Sequence, residues 1–146
     1  GGRPRRRHVA GVPVAVRGRA RAPRDGAPVA RARRRRGAAA LRRGINDIMT
    51  RMEIPGCCYG LASVFQLRLG VPCQCNDDDH QHPKESQGAT PPTLVRQLRL
   101  AALNAGMDLM GGRSGLVSSA HTQDDVRQSL ASFEEAFAAL RTDGLV

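Results

Sequence analysis

The densest grouping of metal-ligating side chains is the adjacent pair Cys57 and Cys58, then Cys73 and Cys75 one residue apart, with His80 and His82 close behind. Thiolates and imidazoles are the ordinary tetrahedral ligands of zinc, so this set raises a metal site. Its spacing opposes one. Structural zinc sites usually take cysteines two residues apart in a turn. Here they are adjacent or separated by one residue, and Asp77, Asp78 and Asp79 stand between the cysteines and the histidines. Reduced thiols are the expectation, ahead of zinc and then of a disulfide, and Cys58, at the head of an apolar run, is expected as a small buried hydrophobe.

A second concentration is cationic. Residues 1–43 hold 15 arginines against one acid, Asp25, for a net charge of +14, whereas residues 44–146 carry a net of −4. Clusters such as Arg3, Arg5 to Arg7 and Arg33 to Arg36 are what neutralising phosphates requires. The arm has no aromatic residue to stack on bases and no lysine. Arg, Ala, Gly, Pro and Val make up 40 of its 43 residues, too little large apolar surface to offset the entropy of ordering. Residues 1–40 are therefore expected to be disordered, with only Ala38 to Arg43 inclined to helix. The same five residue types are what GC-rich DNA encodes when read out of frame, so a frameshift origin stands beside a genuine nucleic-acid-binding arm. A small basic nucleic-acid-binding protein is the alternative function.

The remainder must supply the elements that position any site. About 100 residues suffice for one small core. No run of 18 apolar residues exists, so no membrane span is expected, and no apolar h-region marks a secretory signal. With reduced thiols, that points to the cytoplasm. Leu41, Ile45, Ile48, Met49 and Met52 fall at helical spacing, and Ile54-Pro55-Gly56 ends the helix. Cys58 to Leu69 reads as one half-buried strand with Phe65, Leu67 and Leu69 on one face. Residues 70–92 have no period and read as a long loop.

The spacing next predicts a helix over Thr93 to Asn104, with Leu94, Val95, Leu98, Ala101, Ala102 and Ala105 as its main apolar stripe. Leu100 and Leu103 lie on its opposite side, which implies a surface that covers them. Extended segments follow at Met107 to Met110 and Gly115 to Ser119. A closing helix runs from Thr122 to about Arg141. In it Val126, Leu130, Phe133, Phe137 and Leu140 lie within about 80° of arc at about 100° per residue. Thr122 is its expected N-cap, with Asp124 and Asp125 beside the positive end of the helix dipole.

Leu103-Asn-Ala-Gly-Met107, then Gly115-Leu-Val-Ser-Ser-Ala-His-Thr122, then Asp124-Asp125 opening a helix that contains Phe133-Glu-Glu-Ala-Phe137, resembles the C-terminal end of class III pyridoxal-phosphate-dependent aminotransferases. Within that family the stretch is most similar to glutamate-1-semialdehyde 2,1-aminomutase-like proteins. The resemblance runs over residues 41–146 and is most specific in the last 45. It implies an α+β fold: the small C-terminal domain of a fold-type I transferase, an antiparallel sheet with helices packed on it, truncated on its N-terminal side.

The resemblance further implies a large cofactor-binding domain and a homodimer partner in the intact enzyme. Pyridoxal 5′-phosphate rests there on a Schiff-base lysine with an aspartate at the pyridine nitrogen. The only lysine here, Lys84, lies beside His80, His82 and Glu85 in the proline-rich loop, which lacks the dry pocket or neighbouring cation that activates such an amine. No catalytic, cofactor-binding or metal residue is carried over. His121 is expected to cap and pack at the strand-to-helix junction, and the fragment is expected to bind no cofactor and to be inactive alone.

Translating the encoding DNA upstream of Leu41 in the other two frames separates the two origins of the arm. An ordinary globular sequence continuing the aminotransferase in one of those frames makes residues 1–40 a frameshift product. Low-complexity text in both frames makes them genuine.

Overall fold

The computed structural model describes residues 26–72 and 90–146. Within them helix α1 (Ala27–Arg51) leads into strands β1 (Gly56–Tyr59) and β2 (Val64–Leu69). Helix α2 (Pro92–Asn104), the short strand β3 (Ser114–Leu116) and helix α3 (Gln123–Thr142) follow. The strands form one antiparallel sheet in the order β1-β2-β3. Helix α3 packs on both α1 and α2, and α1 also packs on β1. This is the α+β arrangement the resemblance implies.

The core is built from the expected stripes. Leu41, Ile45, Ile48 and Met49 of α1 meet Phe65, Leu67 and Leu69 of β2, Leu94 and Leu98 of α2, and Phe133, Phe137 and Leu140 of α3. Strand β2 alternates half-buried and buried along its length, as one solvated face and one core face require. Phe133 receives Phe65 edge-on, with ring centroids 5.9 Å apart at 84°, and lies 5.9 Å from Phe137. Edge-to-face contact is the geometry ring quadrupoles favour. Where α1 crosses α3, a side chain at Gly44 would place its Cβ 2.6 and 2.7 Å from the Leu130 methyls.

Three expectations need correction. Helix α1 begins at Ala27, inside the stretch whose composition predicts disorder. Arg and Ala are among the strongest helix formers, and Pro28 in the first turn fits the fixed φ a helix start needs. Ala38 is 0% exposed, so the end of this stretch joins the core.

The run Cys58 to Leu69 is a hairpin of two strands rather than one strand. Gly60 turns the chain at φ 151°, where a Cβ would meet the Val64 carbonyl oxygen at 2.3 Å, and Ala62 completes the turn at φ 56°. The segment Met107 to Met110 is extended only to the single bridge Met110 to Ser114. Gly111 and Gly112, both at positive φ, turn the chain back at once.

The outer edge of β1 is closed by a side chain. The Asn46 amide of α1 donates to the Cys58 carbonyl oxygen (2.9 Å), and its own oxygen accepts from the Cys58 N–H (2.6 Å). Cys58 faces Leu67 across the ladder, and Leu67 likewise turns its N–H outward, to the Arg113 carbonyl (2.8 Å). Such outward groups alternate along an antiparallel pair and need partners elsewhere.

Asn46→Ala is expected to lower the unfolding free energy by about 1–3 kcal/mol, the cost of leaving buried backbone groups unsatisfied. Asn46→Asp, which keeps the acceptor but loses the donor, should fall between. Urea titration of the three proteins checks this, and an alanine variant as stable as the parent would show that the edge does not depend on Asn46.

Candidate functional site

The junction from β3 into α3 carries the most distinctive sequence pattern, and the structure brings its polar residues together. Thr122 adopts extended geometry at φ −92°, ψ 175°, and its hydroxyl accepts from the Asp125 N–H (3.2 Å). The Asp125 carboxylate in turn accepts from the Thr122 N–H (2.6 Å) and hydroxyl (2.8 Å). This reciprocal capping box satisfies two backbone donors at the start of α3. The Thr122 amide, then its hydroxyl, hold the Asp125 carboxyl below its ordinary value.

His121 sits immediately before the cap. Its Nδ1 accepts from the Ser118 N–H (3.0 Å) and lies 2.9 Å from the Ser118 hydroxyl. The Ser118 hydroxyl also accepts from the Ala120 N–H (3.2 Å). A hydroxyl against an imidazole is the beginning of a nucleophile pattern. Here, however, the single Nδ1 lone pair is contested by a backbone amide, and both residues belong to one exposed four-residue turn. That arrangement holds the turn. Asp108, His121 and Ser129 join Leu41, Phe65, Leu109 and Val117 in lining a cleft of about 250 Å³.

The other candidates separate. Cys58 is free and buried. Burial pushes its thiol well above the ordinary range, opposed only in part by the Arg42 charge, so it is not a nucleophile at neutral pH. Cys57 is disulfide-bonded, which corrects the expectation of a reduced thiol. Neighbours on a strand point to opposite faces, so Cys58 joins the main core cluster while Cys57 does not. Disulfides are rare in the cytosol, and the reduced-thiol argument for a cytoplasmic location lapses with this bond.

Cys73, Cys75, His80, His82 and Lys84 fall outside the described residues. Among the described residues no three His, Cys, Asp or Glu side chains group to hold a metal ion. No described helix is long and apolar enough to cross a membrane.

Sequence reasoning missed Arg42, which it placed in the basic arm. Only 1% exposed, it donates through Nη1 to the Val64 carbonyl (2.9 Å) and more weakly to that of Ala62 (3.4 Å). It thereby ties the hairpin turn to α1. The signal was available, because Arg42, Ile45 and Met49 share one helical face. The expected uncovered face of α2 is present: Leu100 and Leu103 are 46% and 45% exposed, opposite the buried Leu94, Leu98 and Ala102.

No protein-family profile and no curated protein sequence matches the chain. Solved structures do. An omega-transaminase from Sphaerobacter thermophilus shares 20% identity at a TM-score of 0.65, over 81% of this chain and 26% of that one. A transaminase with PLP bound shares 13% identity at 0.63, over 82% and 25%. A β-phenylalanine aminotransferase from Variovorax paradoxus shares 18% at 0.61, over 76% and 24%. The fold is that of the C-terminal part of transaminases, and the chain spans about a quarter of the length of each.

Thr122→Ala should destabilise the protein by about 1 kcal/mol, the usual cost of losing a threonine N-cap. Because the Asp125 pKa is lowered on folding, its stabilisation is complete above the ordinary carboxyl value of 3.8 and is lost as pH falls through the folded value. Melting curves should therefore show the parent more stable than Asp125→Asn at pH 6, with the gap closing below pH 3.8. A gap independent of pH would refute the ionic form of the cap.

Proposed function

We propose that this chain supplies the C-terminal small domain of a pyridoxal-phosphate-dependent aminotransferase of the class III family. The observation that carries this reading is the extent of the structural likeness: 76–82% of this chain lies on 24–26% of three different transaminases. The Leu103 to Met107 and Gly115 to Phe137 motifs, which resemble the family's C-terminal end, support the same assignment.

The described residues do not fit the cofactor. They include no lysine, the chain's one lysine being Lys84 outside them, and the cleft beside His121 is mainly apolar. The cofactor, which supplies the electron sink for amino-group transfer, is therefore assigned to the large domain of the intact enzyme, and no catalytic residue to this chain. The task of residues 41–146 is mechanical. They offer the Leu100 and Leu103 face of α2 to the neighbouring domain and help to close the substrate cleft over it.

In the intact enzyme a homodimer is the proposed assembly. The finer reading, an aminomutase-like member rather than a transaminase, rests on the Ser118 to Asp125 stretch alone. Assaying the intact enzyme on glutamate 1-semialdehyde against ordinary amino donors with oxo-acid acceptors distinguishes them.

The chain mixed with pyridoxal phosphate should retain no stoichiometric cofactor through gel filtration, and borohydride should fix none of it on Lys84. Supplied with the preceding cofactor domain as a separate polypeptide, it should form a complex that Leu100→Asp with Leu103→Asp abolishes. Stoichiometric, lysine-dependent cofactor on the isolated chain would refute the assignment, as would a complex indifferent to both substitutions.

A further inference from the structure

The arginines at the start of α1 have no task in the function proposed above. From Ala27 to Arg36 no residue is buried, the first buried position being Gly37. These ten residues, about 15 Å of helix at 1.5 Å per residue, lead the chain into the core and carry Arg31, Arg33, Arg34, Arg35 and Arg36 with no acid among them. All five arginines are exposed. Among the described residues none of the five is paired with a carboxylate, unlike Arg51, Arg99 and Arg127, which meet Glu134, Asp108 and Asp124.

Their spacing sorts them into two rows. At about 100° per residue, Arg31, Arg34 and Arg35 fall within about 100° of arc, and Arg33 and Arg36 within about 60° on the diametrically opposite side. A flat anionic surface meets one side of a helix and would leave one row idle. A groove walled by phosphates on both sides uses both. The major groove of B-form DNA is about 12 Å wide and admits an α-helix, whereas that of duplex RNA is too narrow for side chains to read.

A bilayer-binding helix needs a broad face of large apolar residues, and here Val29 is the only one. Single strands are gripped by stacking on aromatic rings, and this segment has none. The positive end of the α1 dipole adds to the same field.

We infer that Ala27–Arg36 is a DNA-binding helix that lies in the major groove, neutralising phosphates of both strands without reading the base sequence. The inference does not rest on the aminotransferase assignment, since it uses neither the Leu100 and Leu103 face nor the motifs between Leu103 and Phe137.

The test is the salt dependence of binding to a fluorescently labelled mixed-sequence DNA duplex, measured by anisotropy on the full chain. Each phosphate neutralised contributes about −0.9 to the slope of log K against log salt. Arg31→Gln with Arg34→Gln and Arg35→Gln should make the slope shallower by about 2.7, and Arg33→Gln with Arg36→Gln by about 1.8. The corresponding lysine variants should retain the parent slope, and unchanged melting curves establish that the glutamine variants remain folded.

An RNA duplex of the same sequence should bind more weakly at every salt concentration. Loss of slope from one row only would overturn the groove arrangement. An unchanged slope in both variants, or tighter binding to phosphatidylserine vesicles than to DNA at equal salt, would overturn the inference altogether.

Discussion

A three-stranded sheet with a four-residue outer strand cannot stand in water unless something closes its edge and covers its face, and both tasks fall to α1. Asn46 takes the place of a fourth strand at Cys58, while Arg42 collects the carbonyls of the hairpin turn. Leu41, Ile45, Ile48 and Met49 cover the sheet's apolar side. Polar closure and apolar cover come from one helix at successive positions. The same helix must therefore keep one rotation about its axis for either to succeed, because a shift of one residue would turn all of these side chains away together. Helix α3 fixes that rotation from the other side through Phe133 and Phe137, and the Arg51 to Glu134 ion pair joins the two helices near the end of α1.

What could be read from the residues was whatever local chemistry decides. The period of α3, its threonine cap and its acidic first turn, the alternation in β2 and the second apolar side of α2 each follow from a few neighbours in sequence, and each appears in the structure. Errors arose where a longer-range partner decides. Cys58 to Leu69 is apolar enough for a single strand, and only the pairing of Tyr59 with Gln66 shows that Gly60 is a turn. The arginine-rich segment lacks large apolar residues and so suggests disorder. Yet Gly37 and Ala38 are small enough to sit against the core, and a Cβ on Gly37 would touch Val117 at 3.2 Å.

The candidate site was legible in the same partial way. His121 was expected to cap and pack from its place before the N-cap; its bond to Ser118 ties the turn, while the side chain stays exposed rather than packed. Arg42 was hidden because charge counting grouped it with the arm, although its helical position put it on the core face. The bonding of Cys57 could not be read from spacing at all, since adjacent cysteines on a strand face opposite ways and meet different surroundings.

The crossing of α1 and α3 at Gly44 has a mechanical meaning. With the Leu130 methyls occupying the place of any side chain there, the two helices meet with nothing between them but one half-buried leucine. A side chain at position 44 would have to turn Leu130 aside, so the closeness of the crossing is set by a glycine on one helix and a rotatable leucine on the other. The joint between α1 and α3 is thus tight and yet adjustable.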